Sequence, residues 1–184
     1  MLPRMTDPLL ELDATTRQRL NRGEILVTTE PVPDSTVPRL VVRAVVEAPC
    51  ERVWRLIDGC ASYERTLPGI ARSEELVRDG QRVRVRLTVK MPFPLRDLTS
   101  VTDGIHTEVP GERYSREWQL VEGDYHSNSG SWLLVPFDGE KARTLVVYRL
   151  HAEPKLRLPR AIKQLATEKA VPRLIAQIRR LATA

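Results

Sequence analysis

The densest set of reactive side chains is the stretch "GDYHSNSGSW", Gly123 to Trp132, which carries Asp124, His126, Ser127 and Asn128 side by side with two further serines. A serine nucleophile needs a base within hydrogen-bonding reach and a group behind it that orients the base. His126 and Ser127 are direct neighbours, and on an extended chain neighbouring side chains point to opposite faces, so they do not pair there. Nor is there a Gly-x-Ser-x-Gly elbow leading into a helix. Glycines and small polar residues suit a hairpin or the first residues of a strand. A contact at a pocket rim ranks second and catalysis last.

Elsewhere the candidates are sparser. His106, His126 and His151 are the only histidines and Cys50 and Cys60 the only cysteines. Their spacings match no metal or redox motif, so the reading is no metal, no cofactor and structural roles for the imidazoles. Arg116 shares its strand parity with Tyr114, Trp118 and Leu120. On a covered face its guanidinium would need a carboxylate or an anionic ligand, because an unpaired buried charge is costly. A bulge or strand end that reverses the parity would instead leave it in water. In "MPFPLRD", Phe93 stands between two prolines, stiff and apolar, either gating a cavity mouth or capping the core from an ordinary turn.

A chain of 184 residues with 41% hydrophobic and 29% charged residues is a folded domain with a short extension, long enough to bury a core without staples. "MLPRMTDPLLELD" lacks the apolar centre of a secretory signal, and no run reaches the length of a membrane span. The expected compartment is the cytoplasm. Of the net charge of +5, the stretch from Lys155 to Ala184 carries eight bases and one acid, leaving 21 bases against 23 acids elsewhere. Any anionic partner is therefore sought at the C-terminal segment, and nothing points to DNA.

Asp13 to Asn21 reads as a short helix capped by Asp13, followed by β-formers at Glu24–Thr29 and a proline-rich linker. "RLVVRAVVEA" is a strand ended by Pro49. Pro49 to Gly59 is a helix with Val53, Trp54, Leu56 and Ile57 on one face, and "YERTLPGI" is a second short one. "QRVRVRLTVKM" then alternates strictly, the mark of a strand with one wet and one covered face. Strands are expected at Ile70–Arg78, Gln81–Met91, Asp97–His106, Arg113–Val121, Ser129–Pro136 and Thr144–His151. Pro159 to Leu181 is helical, with a kink expected near Pro172. Six strands with one covered face need a cover, and the last helix is the long element available. The expected fold is α+β, a curved antiparallel sheet wrapped around a long C-terminal helix, with two short helices after the first core strand. Residues 1–38 form an N-terminal extension and residues 39–184 the main domain.

"VEAPCERVWRLIDGCASYERTLPGI" resembles the opening of the START-like superfamily, the helix-grip fold also called polyketide cyclase/dehydrase or SRPBCC. The resemblance rests on Ala48-Pro49, Val53-Trp54, Tyr63 and Pro68, then on "MPFPLRD", "GSWLLVPF" and "TLVVYRL", and on a C-terminal helix interrupted by proline. It runs from about Leu40 to Leu181 and is nearest to the coenzyme Q-binding and cyclase-like branch. It implies a cavity between sheet and helix that holds an apolar molecule such as a lipid, quinone or polyketide-like aromatic.

Taking the alternation at face value, the inward residues are Val85, Leu87, Val89, Tyr114, Arg116, Trp118, Trp132, Leu134, Val146 and Tyr148. Ile162, Leu165 and Lys169 would face them from the helix, and Tyr63, Leu67 and Phe93 join them as ligand-contact candidates. The plainer alternative is that these residues simply form a packed core. The resulting functional expectation is a binding protein, a carrier, sensor or chaperone. The enzyme alternative, a cyclase or aromatase, would use Tyr114, Arg116 or Tyr148. The interaction alternative sets Lys163, Lys169, Arg173 and Arg179 against an anionic membrane or ribosomal RNA; as a wet helix face they need no partner.

Overall fold

The computed structural model describes residues 7–184, apart from the side chains of residues 165–167. Its strands are β1 (Leu26–Glu30), β2 (Arg39–Val46), β3 (Ile70–Asp79), β4 (Arg82–Val89), β5 (Leu98–Val109), β6 (Arg113–Gly123), β7 (Tyr125–Phe137) and β8 (Glu140–Pro154). They form one curved antiparallel sheet in the order β1-β2-β8-β7-β6-β5-β4-β3. Thus β3 to β8 is a meander, β2 joins beside β8, and β1 adds an edge. The helices are α1 (Ala14–Asn21), α2 (Cys50–Asp58), α3 (Tyr63–Thr66), α4 (Arg160–Leu165) and α5 (Val171–Thr183).

β2 reads as a nearly continuous apolar run because both of its faces are covered. Val42, Ala44 and Val46 join the concave core, together with Val53, Trp54 and Ile57 of α2 and Ile175 and Ile178 of α5. Val41 and Val45 point the other way, where Leu20 of α1 packs with Leu133, Phe137, Leu145 and Val147. Asp13 caps α1 by accepting the Thr16 N–H at 2.6 Å. The described part of the N-terminal extension therefore shields the convex side of β2, β7 and β8.

One local expectation is met and one corrected. The helix is interrupted near Pro172, as expected, on the turn just ahead of it. A π-helical turn (Ala166–Ala170) separates α4 from α5, and Pro172 sits in the first turn of α5. Proline has no N–H to donate and its ring crowds the carbonyl four residues back, so the distortion falls on the preceding turn. The expectation for "GDYHSNSGSW" is the one corrected: it is strand from Tyr125 onward, leaving only Asp124 between β6 and β7. Asp124 makes so short a turn possible by accepting the Thr99 N–H and pairing with Arg96, at 2.8 and 2.9 Å.

Gly130 lies directly opposite Trp118 in the ladder. A Cβ there would stand 2.3 Å from the Arg149 carbonyl oxygen and 2.4 Å from the Trp118 ring. The absence of a side chain is thus what lets the indole lie flat across β7. Gly130→Ala should destabilise the fold by about 3 kcal/mol, the upper range for overpacking. Ser131→Ala, on the opposite face, should change it by less than about 0.5 kcal/mol. Urea melts of both variants would check this, and an unchanged Gly130→Ala midpoint would contradict it.

Candidate functional site

One row of residues crosses the concave face in register: Val42, Tyr148, Trp132, Arg116 and His106. Trp132 and Tyr148 stack at 4.1 Å between ring centroids, and Trp118 lies 6.3 Å from Tyr148 on the other side. Trp118 is held by its indole N–H, which donates to Asn128 Oδ1 at 3.1 Å. Gly130 and Trp132 of "GDYHSNSGSW" thereby belong to an aromatic floor.

Arg116 is buried in the middle of this row, at 6% exposure. A guanidinium keeps its charge at any ordinary pH, yet among the described residues no carboxylate pairs with it. Its Nη1 donates to the Tyr63 hydroxyl at 2.7 Å, and its Cζ lies 5.1 Å from the Trp118 ring and 5.5 Å from that of Tyr63. The Nε–H is buried without a partner. Tyr63 is fixed in turn by donating to the Ile57 carbonyl at the end of α2. Burial pushes the Tyr63 and Tyr148 hydroxyls well above the usual tyrosine range, and the nearby Arg116 charge opposes this only in part. Both hydroxyls therefore stay protonated at neutral pH.

His106 was read as structural from the sequence, and its surroundings are more pointed than that. Its Nδ1 lies 2.7 Å from Asp58 Oδ1, while its Nε2 is buried and unpartnered. Burial pushes the imidazole below its ordinary value and outweighs the Asp58 hydrogen bond. Burial raises Asp58, but the bonds from His106 and Arg78 more than offset it and hold the carboxyl low. The contact is accordingly a neutral imidazole donating Nδ1–H to a carboxylate, with Nε2 left as a bare acceptor next to Arg116. An Asp-oriented imidazole is the arrangement of a general base. No spacing rule reveals it, since Asp58 and His106 meet only through the docking of α2 on β5.

The other chemical candidates are occupied. Tyr114 donates to Glu51 Oε1 at 3.0 Å at the start of α2. Ser127 does meet a histidine, His151 across the ladder, at 3.0 Å, but the far nitrogen of that ring meets the Ser35 hydroxyl. Ser35 in turn donates to Glu153. The network ties the proline-rich linker to the convex face and lacks a carboxylate-oriented base. His126 is exposed. Among the described residues no three His, Cys, Asp or Glu side chains gather as metal ligands.

Residues 46–179 match the family model described as polyketide cyclase / dehydrase and lipid transport. The chain belongs to that family. Three solved structures show the same fold at low identity. A STAR-related lipid transfer protein fragment from Xanthomonas axonopodis aligns with TM-score 0.73 and 17% identity over 87% of this chain and 94% of that one. Human StAR-related lipid transfer protein 5 aligns with TM-score 0.71 and 12% identity over 92% and 96%. The Zhui aromatase/cyclase from Streptomyces sp. R1128 aligns with TM-score 0.58 and 17% identity over 78% and 90%. No curated protein sequence matches the chain.

Within this polyketide cyclase-like fold the candidate residues separate. Tyr63, Val85, Tyr114, Arg116, Trp118, Trp132, Leu134, Val146 and Tyr148 are buried on the concave side, with Leu67 beside them. Arg116 thus faces inward, without the parity reversal that would have solvated it. Leu87, Val89 and Ile162 are half-buried. Leu165 has its side chain outside the described residues. Phe93 does not cap the core: its ring is 97% exposed. Lys169 is exposed as well, because the π-helical turn carries it outward. Of the four bases assigned to an outer partner, Lys163, Lys169 and Arg173 are exposed. Arg179 is turned to the body, donating to the Val45 and Gly23 carbonyls at 3.0 Å each. A groove of about 510 Å³ opens on the convex face, walled by Asp7, Leu9, Ser115, Glu117, Ser131 and Arg149. The sheet separates it from the aromatic floor.

Because the folded His106 refuses a proton that the unfolded chain accepts near pH 6.5, its contribution to stability is complete above that pH. It is lost progressively as pH falls from there towards the lowered folded value. Melting temperatures measured between about pH 7.5 and 5 should drop more steeply for the wild type than for His106→Gln, whose amide does not titrate. Parallel curves would show that the folded imidazole takes up its proton normally.

Proposed function

We propose that the protein binds one hydrophobic small molecule, a lipid, quinone or polyketide-like aromatic, between the concave face and the C-terminal helix. An oxygen-bearing head of that molecule turns to Arg116, and the protein acts as a carrier, sensor or chaperone. The observation that carries this reading is the buried Arg116 guanidinium with no carboxylate among the described residues. Taking an ion out of water entails several kcal/mol that a hydroxyl and two ring faces offset only in part. A carboxylate, phosphate or polarised carbonyl would complete the site, while Trp118, Trp132 and Tyr148 supply apolar contact. Two features favour room for a guest. Three successive inward positions of β5 are small, Ser100, Thr102 and Gly104. The described side chains of α4 are exposed apart from half-buried Ile162, so that helix does not fill the concavity as α5 does. The family description and the lipid transfer proteins of the same fold agree with this reading.

A fluorescent fatty acid titrated into delipidated protein provides the test, alongside extraction and mass analysis of what co-purifies. Arg116→Met removes the charge at similar volume. It should leave the melting temperature equal or higher and weaken fatty-acid binding at least about tenfold. Equal affinity in the variant, or a core that takes up no apolar molecule, would refute the proposal.

A second reading rests on the Asp58–His106 pair. An acceptor Nε2 beside a guanidinium suits proton abstraction next to a carbonyl, with Arg116 facing the developing oxyanion, as in a cyclase or dehydratase. On that reading His106→Gln abolishes turnover of a poly-β-keto substrate while fatty-acid binding persists. On the carrier reading there is no turnover to lose.

A further inference from the structure

The groove on the convex face differs in chemistry from the aromatic floor behind it. Strands β5 to β8 pave it in register: Ile105, Glu117, Ser131 and Arg149 form one rung, and Asp103, Gln119 and Ser129 belong to the next. Asp7 and Leu9 of the N-terminal extension wall one end, and Arg39, the first residue of β2, stands at the far side from β5.

Most of the charged residues lining the groove are cancelled on the spot. Asp7 pairs with Arg113 at 3.0 Å, Arg149 with Glu30 at 2.9 Å, and Asp103 with Arg82 and Arg84 at 2.8 and 2.6 Å. Arg39 and Glu117 are the exceptions. Among the described residues neither side chain has an ion-pair or hydrogen-bond partner, and the Ser129 and Ser131 hydroxyls between them are likewise unengaged. The same face exposes apolar surface. Ile105 is 50% and Val109 42% exposed, both on the outward parity of Asp103. Apolar side chains held in water on a rigid sheet mark a surface that binds.

We propose that two copies of the chain associate through this face, about a two-fold axis passing between Ser129 and Ser131, with Arg39 of each copy paired to Glu117 of the other. A nucleic acid or an anionic lipid surface would call for a surplus of bases. Here Asp7, Asp103 and Glu117 balance Arg39, Arg113 and Arg149. A half-turn makes such a face complementary to itself. β2 and β6 lie three strand spacings apart in the sheet, about 14 Å, with an unpaired base on one and an unpaired acid on the other. The rotation sets each on its opposite, twice over, across two small serines that let the copies approach. It also carries the end walled by Asp7 and Leu9 onto the end where Gln119 is exposed, and Ile105 towards the linker that precedes Arg39. The concave face takes no part, so the association holds whatever that face binds.

Sedimentation equilibrium over a series of protein concentrations tests it, and the wild type should approach the dimer mass. Arg39→Glu and Glu117→Arg each put like charges at both contacts and should weaken association at least about tenfold. Mixed in equal amounts, the two single variants restore opposite charges at both contacts and should pair as the wild type does. The double variant Arg39→Glu/Glu117→Arg should recover by itself. Recovery in the mixture also shows that the single variants are folded. A wild type that stays monomeric at every concentration, wild-type association by either single variant, or a mixture that stays monomeric would each overturn the proposal.

Discussion

A concave sheet face paved with Trp118, Trp132, Tyr148, Val42 and Val146 holds its shape only while a helix keeps water from it. α5 is that helix, and it is fastened at its C-terminal end. Ile175 and Ile178 are fully buried, worth about 2 kcal/mol each as area removed from water. Arg179 hydrogen-bonds two carbonyls of the sheet side, Val45 and Gly23, and Arg52 of α2 donates to the Ala182 carbonyl at 3.2 Å. The burial of Arg179 pushes its guanidinium below the usual value, and the nearby Glu47 charge opposes this only in part. The described side chains of α4, by contrast, are exposed apart from half-buried Ile162. The C-terminal helix is thus a clamp at one end and a cover at the other, with the π-helical turn ahead of Pro172 as the joint.

The electrostatics follow this asymmetry only in part. On the clamped half, Trp54 donates to Glu108 at 2.7 Å and Thr144 to the Ala48 carbonyl at 2.7 Å, while Arg179 Nη2 is buried without a partner. Towards β5 and β6, Arg116 Nε and His106 Nε2 are buried and unsatisfied within one row. Native interiors contain few such atoms, and two in adjacent register positions mark a place where a further group belongs. Stability alone would favour an apolar residue at position 116. The arginine is therefore explained by what it meets, not by what it holds up.

How much of this was legible follows from range. Period-two alternation placed Val85, Trp118, Trp132 and Tyr148 on one face, because strand parity is local. The apolar faces of α2 and α5 were readable for the same reason, as was the Asp13 cap. Arg116 was legible as a dilemma, since parity pointed it inward while charge pointed it outward; only the eight-strand register resolves it. Asp58–His106 and Ser127–His151 were invisible, being 48 and 24 residues apart and made by tertiary docking. Phe93 stayed between two readings because the turn chemistry of "MPFPLRD" says how the chain bends and not whether a core lies beneath. Arg179 was misjudged because a base on a helix reads as wet unless its neighbours are known.

The balance between container and catalyst then turns on which groups are free to change protonation. Tyr114 is spent on Glu51, and Tyr63 and Tyr148 are held protonated by burial, so none serves as a base near neutrality. Arg116 does not titrate. His106 alone has both an orienting carboxylate and a bare nitrogen, and a neutral ring at the pH where a base is useful. Yet that nitrogen has no solvent-exposed surface, and a base acts only within hydrogen-bond reach of the proton it takes. A reaction would require the substrate to part His106 from its packing against Trp54, 5.5 Å between ring centroids. Arg116 Nε is buried as well, yet an added carbon at Gly104 of β5 would meet it only at van der Waals distance, 3.6 Å, so room beside it does not require parting α2 from the sheet. On those grounds the carrier reading stands ahead of the enzyme.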